Sequence, residues 1–218
     1  MTQFLDPKGN YTFRSFFELP HDPDEILAEF GYGYAKTRLN LPQSQQHLPE
    51  LAHLKTQIEA SLPYVQLTSE TAKREALVAP VLLRVATICQ QILRFEYPLK
   101  INNWLQGNLD YLIRADRQLV VVEAKRDDLT RGFTQLGVEM IALGMLEDAP
   151  TQIYGAVTMG NLWNFGVLDR QQQQITQDIS GYQVPDDVEA LVRILVGILQ
   201  SEEGRRVDQS IAPRPVAG

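Results

Sequence analysis

The sequence is poor in cysteine and has no long apolar run. Cys89 is the single cysteine among 218 residues, so neither a disulfide framework nor a cysteine zinc site can form within the chain. It lies in an apolar helical pattern and is predicted to be a small core residue. No apolar stretch is long enough to span a membrane, and the opening MTQFLDPKGN lacks the layout of a signal peptide. We therefore expect a cytoplasmic protein without a membrane segment.

Positive charge is also in short supply. The chain has 20 Lys and Arg against 27 Asp and Glu, a formal net charge of -7. This balance argues against a protein that holds nucleic acid through its overall electrostatic field. The three histidines, His21, His47 and His53, precede the central part of the chain and lack the spacing of metal ligands.

Several catalytic signatures are missing. The chain has no GxxxxGK[ST] loop for nucleotides, no HExxH zinc pair and no GxSxG elbow. The GYGYAK run at 31–36 lacks a third glycine and a preceding buried strand, so it predicts a turn instead of a phosphate-binding loop.

One stretch, residues 107–135, is arranged like a reaction centre. Residues 119–124 form an apolar run with three consecutive valines, which favours a strand buried on both faces. Residues 108–113 form a second strand pattern, which the polar segment 114–118 can turn back antiparallel. Asp110 then approaches Glu123, and Lys125 shares the face of Glu123 because side chains alternate along a strand.

This combination points to metal-assisted chemistry on phosphate. Two close carboxylates repel each other, and a bound cation relieves that cost. Oxygen ligands of this kind suit Mg²⁺. Lys125 beside a metal-bound water would favour its deprotonation and offset charge that builds up on a phosphate under attack.

Asp110, then Glu123-Ala124-Lys125, then Gln135 on a following helix resemble the core of the PD-(D/E)XK nuclease superfamily, the restriction-endonuclease-like fold. The residue before Asp110 is leucine, where the family name has proline. The upstream run SETAKREALVAPVL is similar to the first core helix of type I restriction enzyme domains, with Glu70 at the acidic position. Arg74 and Pro80 occupy the two other positions of that pattern, and Glu75 is a less favoured substitute for Glu70.

The resemblance implies an α/β fold in which helices flank a mixed central sheet, with a core in the order helix, strand hairpin, helix, strand hairpin. Residues 66–200 would form the core and a C-terminal helix. The resemblance covers about residues 69–168; outside it we expect residues 1–65 to form an N-terminal α/β extension packed on the core, and 201–218, which are polar and contain two prolines, to form a flexible tail.

The resemblance also implies a metal-dependent endonuclease that hydrolyses DNA. Mg²⁺, with Mn²⁺ as a substitute, would be held by Glu70, Asp110, Glu123 and the carbonyl of Ala124. Lys125 would act on the attacking water and Gln135 would support it. Separately, the net charge of -7 predicts weak DNA binding by the isolated chain, so a partner subunit, a second copy of the chain or a special DNA structure would supply the missing positive surface.

Three alternatives stay open from the residues alone. The same fold could serve as a non-catalytic nucleic-acid or protein-interaction module. Glu70 could be a first-turn glutamate favoured by the helix dipole, and Gln135 an exposed helical glutamine.

The remaining pattern predicts ordinary elements. We expect strands at 10–19, 37–41, 153–158 and 162–168, the last two joined at Gly160-Asn161. We expect an exposed loop at 42–49. Helices are expected from Asp22 to Gly31, at 49–62, at 69–95 with an interruption at Pro80, at 129–146 and at 186–199.

Overall fold

The computed structural model describes residues 4–115, 118–123 and 128–200, and for 118–123 it describes the backbone alone. Within these ranges the chain is an α/β protein with a seven-stranded mixed sheet. The helices are α1 (Phe13–Glu18), α2 (Pro23–Glu29), α3 (Glu50–Ser61), α4 (Glu70–Lys73), α5 (Ala79–Cys89), α6 (Leu129–Gly144) and α7 (Val188–Leu199). The strands are β1 (Gly33–Thr37), β2 (Leu93–Lys100), β3 (Gln106–Arg114), β4 (Gln118–Glu123), β5 (Gln152–Thr158), β6 (Leu162–Asp169) and β7 (Gln174–Gln183). None of these helices has the length and apolar character needed to cross a membrane.

The strand order is β1-β7-β6-β5-β4-β3-β2. The pairs β4–β5 and β1–β7 are parallel, and the other four pairs are antiparallel. The helix α6 makes the crossover between β4 and β5, as a parallel connection requires. The two predicted hairpins, β3–β4 and β5–β6, are therefore confirmed.

Helices cover both faces of the sheet. On one face α1, α2 and α6 pack on apolar residues of β3, β5, β6 and β7. On the other face α3, α5 and α7 pack on a second group of apolar residues from β3, β5 and β6. The expectation of a mixed central sheet flanked by helices is confirmed at this level.

A π-helical turn interrupts the long helix at 70–89. Residues Arg74–Val78 form this turn, and the backbone N–H of Ala79 donates to the carbonyl of Arg74, five residues back. The interruption predicted at Pro80 is confirmed, because proline has no N–H and its ring crowds the preceding turn. The helix ends at Cys89 with Gln90 in the left-handed region, so the prediction that it continues to residue 95 is wrong.

The first 41 residues differ most from the predictions. The segment predicted as a strand at 10–19 contains α1, because Phe13, Phe16 and Phe17 are spaced to bury one helical face. Thr12 and Ser15 form a capping box at its start. The strand β1 begins at Gly33, so the turn predicted at 31–36 and the strand predicted at 37–41 are both wrong in position.

The segment 42–49 has no regular structure, as predicted, but it is hydrogen-bonded to α7 and packs closely against it. The Arg193 guanidinium donates to the carbonyls of Ser44 (3.3 Å) and Gln46 (3.0 Å). The segment approaches α7 so closely that a Cβ on Gly197 would lie 2.6 Å from the carbonyl oxygen of Pro42.

We expect Gly197→Ala to lower the free energy of unfolding by about 1–3 kcal/mol, since a methyl group here must displace backbone. Gly144→Ala is the matched control, because its Cβ would meet only the flexible side chain of Arg170 at 3.4 Å. That variant should be neutral or up to about 1 kcal/mol more stable through its better helix propensity. Urea unfolding curves of both variants measure the difference, and equal stabilities would contradict the close approach at Gly197.

Candidate functional site

The two predicted carboxylates lie at the same end of the β3–β4 hairpin. The antiparallel register pairs Tyr111 with Val121, and the connecting turn lies at the other end of both strands. Asp110 comes one residue before Tyr111, and Glu123 comes two residues after Val121. The backbone thus carries both residues to the open end of the hairpin.

The strand β3 is irregular at Asp110. Leu109 and Leu112 pack on the α6 side of the sheet, although residues three apart in a regular strand point to opposite faces. Tyr111, between them, packs on the other side. Opposite this point on β2, Glu96 has a φ of 48°, which is uncommon for a residue other than glycine. Asp110 is half-buried and interacts with another group of the chain. It lies where the regular alternation of side chains between the two faces of the sheet is interrupted.

The end of β4 lies beside the end of β5. Glu123 is the last residue of β4, and its backbone is in register with Thr158, the last residue of β5. Thr158 is buried, and its hydroxyl accepts a hydrogen bond from the N–H of Gly160 at 2.9 Å. This bond stabilises the β5–β6 turn, which lies next to the C-terminal end of β4. Ala124 and Lys125 follow Glu123 directly and lie outside the described residues.

The helix at 70–89 approaches the same strand ends through Lys73. A Cβ on Gly160 would lie 2.9 Å from the Cβ of Lys73, so the helix packs directly against the β5–β6 turn. A pocket of about 390 Å³ opens beside this contact. It is lined by Leu67, Lys73, Leu77, Met159 and Asn161.

The two acidic residues of this helix are placed differently. Glu70 is exposed on the first turn, three residues before Lys73, so both lie on one side of the helix. Glu75 lines a second pocket, of about 340 Å³, together with residues of α3. Arg74 pairs with Glu96 of β2, with 3.2 Å between Nη1 and Oε1.

Gln135 is buried, at 5% exposure, although an exposed helical glutamine was the ordinary expectation. Its side-chain Nε2 donates to Oε1 of Glu139 at 2.9 Å, one turn later on α6. Glu139 is fully buried and was missed by the sequence reasoning. The signal was present, since Glu139 is the one acidic residue in the otherwise apolar run 136–144.

Cys89 and His21 fit structural roles. Burial raises the pKa of the Cys89 thiol to about 11, which agrees with a core residue and not a reactive one. His21 stacks on Phe4 with ring centroids 3.9 Å apart and pairs with Glu25. Within the described side chains, no group of three or more His, Cys, Asp or Glu residues is placed to hold a metal ion. The predicted ligand set includes Glu123 and Ala124, whose ligand atoms are outside that description.

The predicted residues come from four elements of the fold. Glu70 comes from the helix at 70–89, Asp110 from β3, Glu123 from β4 and Gln135 from α6. No protein-family model matches this chain, and no curated protein was found to match it. What the site does must therefore be inferred from its residues and their placement.

Proposed function

We propose that this chain is a Mg²⁺-dependent phosphodiesterase that cleaves DNA, with a restriction-endonuclease-like core of the PD-(D/E)XK type. The observation that carries the proposal is that the backbone of β3 and β4 places Asp110 and Glu123 at the same, open end of one hairpin. The order of helix 70–89, hairpin β3–β4, helix α6 and hairpin β5–β6 supports it, because the resemblance implied this order. The strand β2 precedes the first hairpin and pairs with β3.

The donor set suits a hard divalent cation. Asp110 and Glu123 supply carboxylates, the Ala124 carbonyl supplies a further oxygen, and Mg²⁺ or Mn²⁺ prefers such ligands. Glu70 is the better third carboxylate, because Glu75 lines a pocket against α3. A bound cation would polarise the phosphate and make water easier to deprotonate.

Lys125 and Gln135 would have two different roles in the reaction. Lys125 would place positive charge beside the phosphate that gains negative charge in the transition state. Gln135 is held by its bond to Glu139, so the direction of its amide group is fixed before substrate binds. Its side-chain oxygen is then the acceptor that could orient a water molecule.

Metal binding is tested by thermal unfolding with and without Mg²⁺. At a concentration of 100 Kd the ion should stabilise the wild-type chain by about 2.7 kcal/mol, which raises Tm by roughly 5–10 °C. Asp110→Asn should lose most of this shift, whereas Asp24→Asn, an exposed first-turn residue of α2, should keep it. An equal shift in wild type and Asp110→Asn would refute the ligand assignment.

Cleavage is tested separately with plasmid, linear and single-stranded DNA in Mg²⁺ and in Mn²⁺. Cleavage that requires the metal and Asp110 supports the nuclease. DNA or protein binding that persists with no cleavage under any of these conditions would support the alternative, an interaction module on the same fold.

Affinity for intact duplex DNA should be weak. Non-specific affinity comes from Lys and Arg that neutralise phosphates, and a chain with a net charge of -7 can make few such contacts. With two or three contacts, log affinity should fall against log salt with a slope of about -2 to -3. Fluorescence anisotropy across NaCl concentrations measures this slope. Nanomolar affinity at physiological salt with a much steeper slope would contradict the prediction and would remove the need for a second copy or a partner.

A further inference from the structure

The pocket beside Lys73 has the chemistry of a nucleotide site. Leu67, Leu77 and Met159 give it apolar walls, and Lys73 and Asn161 give it two polar groups. Its volume of about 390 Å³ lies in the range of small-molecule sites, roughly 300–1,000 Å³. Apolar walls can hold the flat face of a base, while an amide can hydrogen-bond its edge and an ammonium can bind a phosphate.

The two polar groups are positioned independently of each other. Lys73 is held by the packing of its stem on Gly160, and Asn161 follows in the β5–β6 turn. The backbone carbonyl of Asn161 accepts a hydrogen bond from the N–H of Val184 at 2.8 Å, which fixes this turn, and the residue is exposed. The backbone that carries Asn161 and the stem of Lys73 are therefore both held in place beside the pocket.

The position of the pocket relates it to the proposed reaction. Met159 directly follows Thr158, whose backbone pairs with Glu123 at the end of β4. A ligand in the pocket would thus adjoin the strand end from which Glu123 and Lys125 arise. A base inside an intact duplex cannot reach a pocket of this kind, because it is stacked and paired.

We propose that this pocket receives one unpaired nucleotide next to the bond that is cleaved, so that the chain selects single-stranded or locally unpaired DNA over intact duplex. The link between this pocket and DNA cleavage rests on the proposed function, whereas binding of a nucleotide in the pocket does not. The acidic net charge supports it independently, since burial of a base supplies affinity that does not depend on many phosphate contacts.

Binding is tested first without cleavage, in EDTA. Thymidine 5′-monophosphate, followed by NMR chemical shifts, should bind wild type and bind Asn161→Ala and Lys73→Met at least about fivefold more weakly. Asn40→Ala and Lys36→Met are matched controls at exposed positions that do not line the pocket, and they should bind as wild type does. Equal affinity in all five proteins, or no binding to wild type, would overturn the proposal.

Selectivity is tested next with two duplexes of equal length, one fully paired and one with a single-nucleotide bulge. Wild type should bind the bulged duplex about tenfold more tightly, and Asn161→Ala should bind both alike. Equal binding of both duplexes by wild type would overturn the proposal.

If the nucleotide binds this pocket and no DNA is cut in Mg²⁺, the proposed function is wrong and the pocket assignment remains valid. If DNA is cut and the pocket variants bind the nucleotide normally, the pocket assignment fails and the proposed function stands.

Discussion

Lys125→Ala should slow DNA cleavage by about 10²–10³-fold at saturating substrate, which is the usual cost of removing one group that stabilises transition-state charge. Its ammonium is expected to act on the phosphate and the attacking water in the transition state. Mg²⁺ affinity should therefore change little, and the loss should appear in kcat more than in KM. Single-turnover cleavage together with calorimetric Mg²⁺ titration separates the two effects.

The control for Lys125 is Lys36→Ala. Lys36 is an exposed lysine on β1, at the far edge of the sheet, so its loss should leave the cleavage rate unchanged. Lys125→Arg keeps the charge and should recover part of the rate. Should Lys125→Ala cut DNA as fast as wild type, the activity arises from other residues or from a contaminant.

Phe133→Ala should lower the free energy of unfolding by about 3–5 kcal/mol, or Tm by roughly 10 °C. The Phe133 ring is fully buried and fills the space above Gly166, where a Cβ would lie only 2.7 Å from it. It also contacts the ring of Tyr34 on β1, with 5.9 Å between centroids. Alanine would leave a cavity where α6, β6 and β1 meet, and urea or thermal unfolding measures the cost.

Phe95→Ala removes the same side chain from the edge strand β2, where the ring is 52% exposed. It contacts the Tyr111 ring, with 5.4 Å between centroids, so a smaller loss is expected. A destabilisation equal to that of Phe133→Ala would contradict the difference in burial.

The parts of the fold that were predictable have strong local patterns. The apolar stripe of α6, with Phe133, Leu136 and Met140, was evident at helical spacing, and all three are fully buried. The β3–β4 hairpin was evident from two apolar runs separated by a polar turn. In both cases the local preference agrees with the tertiary environment.

The elements that were missed lie where local preference and tertiary packing differ. The run YTFRSFFEL is rich in aromatic residues, which favour strands, but Phe13 and Phe16 pack against α6 and the segment is helical. The helix at 70–89 ends at Gln90 in a left-handed conformation without the usual glycine, so its end carried no sequence signal. The apolar Leu93 fitted the helical pattern and was therefore predicted to belong to the helix. In the structure it is the first residue of β2.

The candidate site was predictable in its residue types and less so in its geometry. The hairpin accounts for the position of Asp110 and Glu123 at the same end of β3 and β4. The break in alternation at Asp110 could not be read from the sequence, because a regular strand pattern gives no sign of it; on the neighbouring strand Glu96 has a φ of 48°. The buried pair of Gln135 and Glu139 was hidden because polar residues on a helix are normally exposed.

The parallel pair β1–β7 joins the first strand of the chain to the last, from Gly33 with Gln174 to Thr37 with Asp178. During synthesis from the N-terminus, β1 leaves the ribosome long before its only strand partner in the described sheet exists. Contacts at such a sequence separation slow folding. We therefore expect the N-terminal segment to dock late, and chains truncated before β7 to leave β1 and one edge of β6 open to aggregation.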